Sequence, residues 1–150
     1  GLNPKQNRTI PPLHYDYVYK IKQALPSIPV VINGGITELI EINQHLEQVD
    51  GVMLGRLACQ NPYAIAEIHH ALYPDTPLLK RSVILENYVG YAQSMYEKNV
   101  PLSLLLKPIF GLAHGLAGAR AWKNQLMTIQ QSKNREGFAK VVSLFGEIGD

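Results

Sequence analysis

Cysteine occurs once in the 150 residues, so no disulfide can form within the chain and a reducing compartment is the natural expectation. Long hydrophobic runs are also missing. The longest uncharged stretches, Val100 to Leu106 and Pro108 to Ala119, are too short or too broken by glycine to cross a bilayer, which takes about 18 to 20 apolar residues. Charge is scarce and nearly balanced, with 14 Lys+Arg against 12 Asp+Glu and 17% charged residues. Net charge therefore identifies no polyanionic partner. The five histidines show no metal-ligand spacing: His69 and His70 are adjacent and point to different helix faces, while His14, His45 and His114 stand apart, so no metal site is expected. The first residues, Gly1-Leu2-Asn3-Pro4, carry neither an initiating Met nor a signal peptide. The expectation is a cytoplasmic protein whose natural start lies upstream.

What is present suits a globular chain: 46% hydrophobic residues exclude disorder and collagen-like structure. The charge, though small, is unevenly placed. Lys5, Arg8, Lys20 and Lys22 oppose only Asp16 over the first 25 residues, and six cations oppose three anions over the last 50. A polyanion crossing between the ends fits this asymmetry, and so does a solvated surface.

Organisation changes once along the chain. Gly1 to Tyr15 holds three prolines and reads as an extended loop. A helix follows on the period Val18, Ile21, Leu25 and stops at Pro26. Ile28-Pro29-Val30-Val31-Ile32 then reads as a buried strand, Asn33-Gly34-Gly35 as a loop, and Leu39, Ile42, Leu46 as a helix with Thr37 placed to cap it. The cycle repeats as the strand Gly51 to Leu54, the pair Gly55-Arg56, and a helix that begins at Asn61-Pro62 with Ile65, Ile68 and Leu72 on one face. Two consecutive βα units predict a parallel sheet. Beyond the Tyr73 to Pro77 loop the strand signals vanish. Four helical segments are predicted, marked by Ile84, Tyr88, Tyr91 and Met95, by Leu104 to Leu116 with interruptions at Pro108 and Gly111, by Trp122, Leu126 and Ile129, and by Phe138, Val142, Phe145 and Ile148. The fold class expected is α/β plus all-α, with residues 1–74 an α/β part and 75–150 a bundle-like helical domain.

Chemistry concentrates where the strands end. Glycines after a strand let backbone N–H groups approach an anion, a following helix adds its positive end, and Arg56 offers a planar charge for phosphate oxygens. In (β/α)₈ barrels such a site is built from loops after the last two strands, and the 22-residue step from Asn33 to Gly55 fits one barrel unit. Asn-Gly is also a hairpin signal, but Thr37 to Gln48 carries helical rather than alternating spacing. Cys59 lies just before the Asn61 helix start with no paired histidine nearby and reads as a bystander thiol. The Tyr88, Tyr91, Met95 stripe reads as helix core. Arg120 and Lys123, three apart, share a helix face able to hold a phosphate backbone or simply to face water.

Several ordered segments together resemble the tRNA-dihydrouridine synthases, specifically their A-type branch. They are Gly1-Leu2-Asn3-Pro4-Lys5-Gln6-Asn7-Arg8 with Ile10-Pro11-Pro12-Leu13 and Tyr15, Ile32-Asn33-Gly34-Gly35-Ile36, Asp50-Gly51-Val52-Met53 with Gly55-Arg56, Asn61-Pro62, and Gly118-Ala119-Arg120 with Trp122. The resemblance implies the C-terminal half of an FMN-bearing (β/α)₈ TIM barrel, its last two strands only, followed by a helical tRNA-binding domain. It implies reduction of the C5–C6 double bond of a uridine in tRNA, with NADPH reducing the flavin. By the same resemblance Asn33, Gly34, Gly35, Gly55 and Arg56 match FMN-binding positions, and Lys5, Arg8, Arg120 and Lys123 match positions facing tRNA. The family's catalytic cysteine, with its flavin-contacting lysine and histidine, lies upstream of Gly1, so no catalytic residue is expected in this chain and the isolated piece should be inactive. Cys59 does not match that cysteine, and Leu106-Lys107-Pro108 replaces a Thr-Arg-His type sequence. The missing barrel half is an expected partner, and the open sheet edges are expected to self-associate. Two alternatives stay open: a stand-alone RNA- or phosphate-binding module without enzymatic activity, and an FMN barrel acting on a free pyrimidine or dihydroorotate.

Overall fold

The computed structural model describes residues 3, 4, 6, 12–132, 138 and 140–148. The chain forms two compact units, Gly1–Gly55 and Arg56–Asp150.

The first unit runs α1 (Tyr15–Ala24), β1 (Val31–Asn33), α2 (Leu39–Leu46) and β2 (Gly51–Met53). The strands pair in parallel, Val31 opposite Gly51, Ile32 opposite Val52 and Asn33 opposite Met53, as the two βα units predict. Ile32, Ile36, Ile42 and Val49 form the apolar interior, with His45 buried among the same elements. The inward face of α1 differs from the expected one. Tyr15, Val18, Tyr19 and Lys22 are half-buried, whereas Ile21 and Leu25 are exposed. The polar tips make this possible. Lys22 Nζ donates to the Pro26 carbonyl at 2.8 Å and the Ile28 carbonyl at 3.2 Å and pairs with Asp50 at 2.8 Å.

The first strand is also shorter than expected, beginning at Val31 with Ile28 exposed. Pro29 has no N–H for a ladder, and the Val30 N–H is taken by the Asp50 carboxylate at 2.7 Å. The cap of α2 moves as well. Its N-cap is Glu38, not Thr37: a capping box joins the Glu38 and Glu41 side chains to each other's backbone N–H groups.

The second unit runs α3 (Arg56–Gln60), α4 (Pro62–Leu72), α5 (Arg81–Glu97), α6 (Leu102–Leu106) passing into a 3₁₀ turn at Lys107–Ile109, α7 (Ala119–Ser132) and α8 (Val141–Gly146). The Asn61 side chain accepts the Ala64 N–H at 3.3 Å with Pro62 in the first turn, the start read from the sequence. One core joins Leu85, Val89 and Ala92 of α5, Leu105 and Leu106 of α6, Trp122, Leu126 and Ile129 of α7, and Val141 and Phe145 of α8. Burying each large apolar side chain contributes about 1.5–3 kcal/mol. The Trp122 indole N–H donates to the Ile109 carbonyl at 2.8 Å, and its ring meets Phe145 edge-on at 5.1 Å.

Three expectations are corrected here. Tyr91 is 57% exposed, because the inward stripe of α5 centres on Leu85, Val89 and Ala92. The segment Leu104 to Leu116 is not one interrupted helix but α6, the 3₁₀ turn and irregular turns, since Pro108 cannot donate to a continuing helix. Cys59, expected just ahead of the helix that starts at Asn61, lies inside a short helix of its own, α3, and is exposed. Among the described residues, no helix is long and apolar enough to cross a membrane.

Candidate functional site

Parallel pairing puts the ends of β1 and β2 side by side. Asn33 and Met53 are register partners, so the chain leaves both strands about 4.8 Å apart at one edge of the pair. Gly34 and Gly35 follow the first strand with φ of 132° and 66°, values that L side chains rarely adopt. A Cβ at Gly34 would also stand 3.2 Å from both Leu13 methyls. Gly55 follows the second strand in open space, with no heavy atom within 4 Å of where a Cβ would sit. Asn33, Gly35 and Gly55 are exposed and Gly34 is half-buried. The pair of loops is thus a backbone-rich, accessible edge of the kind that suits an anion.

The helix after the first loop does not add to it. The N–H groups of Thr37 and Glu38 both donate to the Glu41 carboxylate at 3.0 Å. Those two bonds hold the Glu41 carboxyl below its ordinary range. The positive end of α2 is therefore neutralised from within. At the second loop Arg56 is exposed and opens α3, which has only five residues. So short a helix carries little dipole.

The remaining residues singled out from the sequence fall elsewhere. Arg120 and Lys123 are both exposed on α7, on the side away from Trp122, Leu126 and Ile129. Lys5 and Arg8 lie outside the described residues. Among those described, no group of three or more His, Cys, Asp or Glu could hold a metal ion.

A cluster behind the first loop went unread in the sequence. The Tyr15 hydroxyl donates to the Gly34 carbonyl, and the Tyr15 ring meets the His45 imidazole edge-on at 4.6 Å. His45 Nδ1 lies 2.6 Å from the Tyr19 hydroxyl. Burial first, then Glu41 and Tyr19, raises the Tyr15 hydroxyl pKa above its ordinary value. The available signal was the one-turn spacing of Tyr15 and Tyr19. Their meeting with His45 depends on tertiary packing that no local spacing encodes.

Comparison with known proteins adds an independent finding. The family model described as Dihydrouridine synthase (Dus) matches residues 2–145. The chain is 42% identical over 127 residues to a tRNA-dihydrouridine(20/20a) synthase of Shewanella oneidensis, covering 84% of this chain and 38% of that protein. It is 44% identical over 126 residues to the protein of the same name from Xylella fastidiosa strain 9a5c, covering 84% and 37%. With the Pseudomonas putida protein of that name the identity is 41% over 140 residues, covering 93% and 41%. The chain spans about two fifths of the length of these curated relatives.

Proposed function

The chain belongs to the dihydrouridine synthase family, and on that premise we propose that it is the C-terminal portion of an A-type, FMN-dependent tRNA-dihydrouridine synthase. In this reading residues 1–74 supply the last two strands of a TIM barrel and residues 75–150 a helical tRNA-binding domain. The observation that carries it is the parallel β1–β2 pair ending in Gly34, Gly35 and Gly55, within a chain whose relatives bear that enzyme's name. The relatives' names further suggest uridines 20 and 20a as the targets.

The residues present fit the phosphate end of FMN. Gly34 and Gly35 hold positive φ with no Cβ to obstruct a ligand, Gly35 being exposed, and the open space at Gly55 admits close approach. When bound, reduced FMN supplies the hydride for the uridine C5–C6 bond, NADPH having restored it. The role of this chain is to bind and orient. Asn33, Gly34 and Gly35 would hold phosphate oxygens through amide N–H groups, with Gly55 admitting them and Arg56 adding charge. Arg120 and Lys123, with Lys5 and Arg8, would grip the tRNA backbone while the target base leaves its stack. Cys59 takes no part. The chain alone, lacking the upstream half with the family's catalytic cysteine, should be inactive.

The test is the intact mass and visible absorbance of the protein purified from its source. A yellow species well above 16.7 kDa that converts tRNA uridine to dihydrouridine is expected. A colourless 16.7 kDa species would overturn the proposal in favour of a stand-alone RNA-binding module.

A further inference from the structure

We infer that Tyr15, backed by His45 and Tyr19, is a positioning residue that fixes the orientation of the Gly34–Gly35 peptide. The ligand-binding half of this inference rests on the reading of that loop as a phosphate site. Its structural half stands on the cluster alone.

The argument begins with the peptide plane. The Gly34 carbonyl and the Gly35 N–H belong to one trans peptide, so they point in opposite directions. Between two glycines that plane can turn over at little steric cost, because no Cβ resists either orientation. Something outside the loop must choose. The Tyr15 hydroxyl donates to the Gly34 carbonyl, drawing it toward α1 and turning the Gly35 N–H to the opposite side. Leu13 packs where a Gly34 Cβ would be, 3.2 Å away, so the same segment holds the loop by contact and by hydrogen bond.

Tyr15 is in turn held from behind. Its ring lies edge-on to His45, with planes 72° apart. His45 is 6% exposed, the one polar side chain buried to that degree among the described residues. An imidazole in that place is costly unless bonded, and the Tyr19 hydroxyl supplies the bond at 2.6 Å. Tyr15 and Tyr19 sit one turn apart on α1 and converge on His45 from the last turn of α2. An apolar residue at 45 would fill the space without fixing a direction. The hydrogen bond from Tyr19 fixes the His45 ring, the His45 ring fixes the Tyr15 ring by edge contact, and the Tyr15 hydroxyl ends on the glycine whose φ is 132°.

The test compares wild type with Tyr15→Phe in the full-length protein. Tyr15→Phe keeps the ring and removes only the donor. Amide exchange at the buried Ile36 is expected to rise about fivefold, the effect of one net hydrogen bond, while exchange at Ile32 in β1 stays unchanged. FMN affinity, read by flavin fluorescence, is expected to weaken by a similar factor. Equal acceleration at Ile32 and Ile36 would reduce Tyr15 to a stabilising contact and overturn the inference. Unchanged exchange and unchanged FMN affinity would overturn it too, leaving the phosphate reading intact. If wild type binds no FMN, that reading fails, and selective loop exchange still decides the structural half. Tyr19→Phe, one step removed, is expected to loosen the same loop by a smaller factor. Should Tyr15→Phe prevent folding, an unaltered loop in Tyr19→Phe would count against the relay.

Discussion

Single residues at the two strand ends explain both what the sequence discloses and what it hides. Gly34 and Gly35 were legible because backbone at positive φ almost demands glycine. The cap one residue further on was readable as well, but only with the right offset. Thr37 as N-cap would place Ile40 three positions later, whereas Glu38 places Glu41 there, and Glu41 has the acceptor oxygen that isoleucine lacks for the free N–H groups. That choice has a pH consequence. The Glu41 carboxyl is held below its ordinary value by the Thr37 and Glu38 N–H groups. Its contribution to stability is therefore complete above the unfolded value, about 4.3, and is lost as pH falls through the lower folded value. Urea midpoints between pH 6 and pH 2 should fall for wild type, and Glu41→Gln should flatten part of that fall; an unchanged acid limb would remove Glu41 from the account. On α7 the proposed tRNA contact predicts that Arg120→Ala and Lys123→Ala each weaken tRNA binding and reduce the log–log salt slope by about 0.7 to 0.9, the signature of one phosphate contact. Filter binding at several salt concentrations measures it, and unaltered slopes would mean that these cations only face water.

Secondary elements were legible where one face does one job. The α7 stripe of Trp122, Leu126 and Ile129 is buried as read. The α1 period of Val18, Ile21 and Leu25 misled, because tyrosines and a lysine supply much of the inward face and bond their polar tips to His45, to backbone carbonyls and to Asp50. The stretch after α6 misled for another reason: Ile109 and Leu112 are buried and Phe110 half-buried there without a continuing α-helix, their conformation set by Pro108 and by contacts distant in sequence. Two such contacts are testable. A Cβ at Gly111 would stand 2.5 Å from the Gln60 carbonyl oxygen and 2.8 Å from Pro62 Cδ. Gly111→Ala must shift the junction of α3 and α4, and calorimetry should show destabilisation of about 1–3 kcal/mol. Trp122→Phe removes the indole donor from the Ile109 carbonyl, which keeps the Leu112 N–H at 3.1 Å. The cost expected is about 0.5–1.5 kcal/mol for the one hydrogen bond, with a further loss for the smaller ring.

At the scale of the whole molecule, compactness and sequence pattern divide the chain at different places. Pattern changes after Tyr73-Pro74, where strand signals end, whereas Arg56 to Leu72 folds compactly with the helices beyond. The close seat of Gly111 on Gln60 and Pro62 is one physical reason, and no local period could announce it. The sheet has only two strands among the described residues, and each keeps an unpaired edge. Sedimentation of the isolated chain should show concentration-dependent association through those edges; a clean monomer across the range would argue that they are protected. The placement of the single tryptophan has an optical consequence. Trp122 is fully enclosed in Arg56–Asp150, and Gly1–Gly55 contains tyrosines but no tryptophan. Indole emission is thus a built-in dye for one unit that is blind to the other. Followed beside a signal from the first unit during denaturation, it will reveal whether the two melt as one cooperative body or in succession.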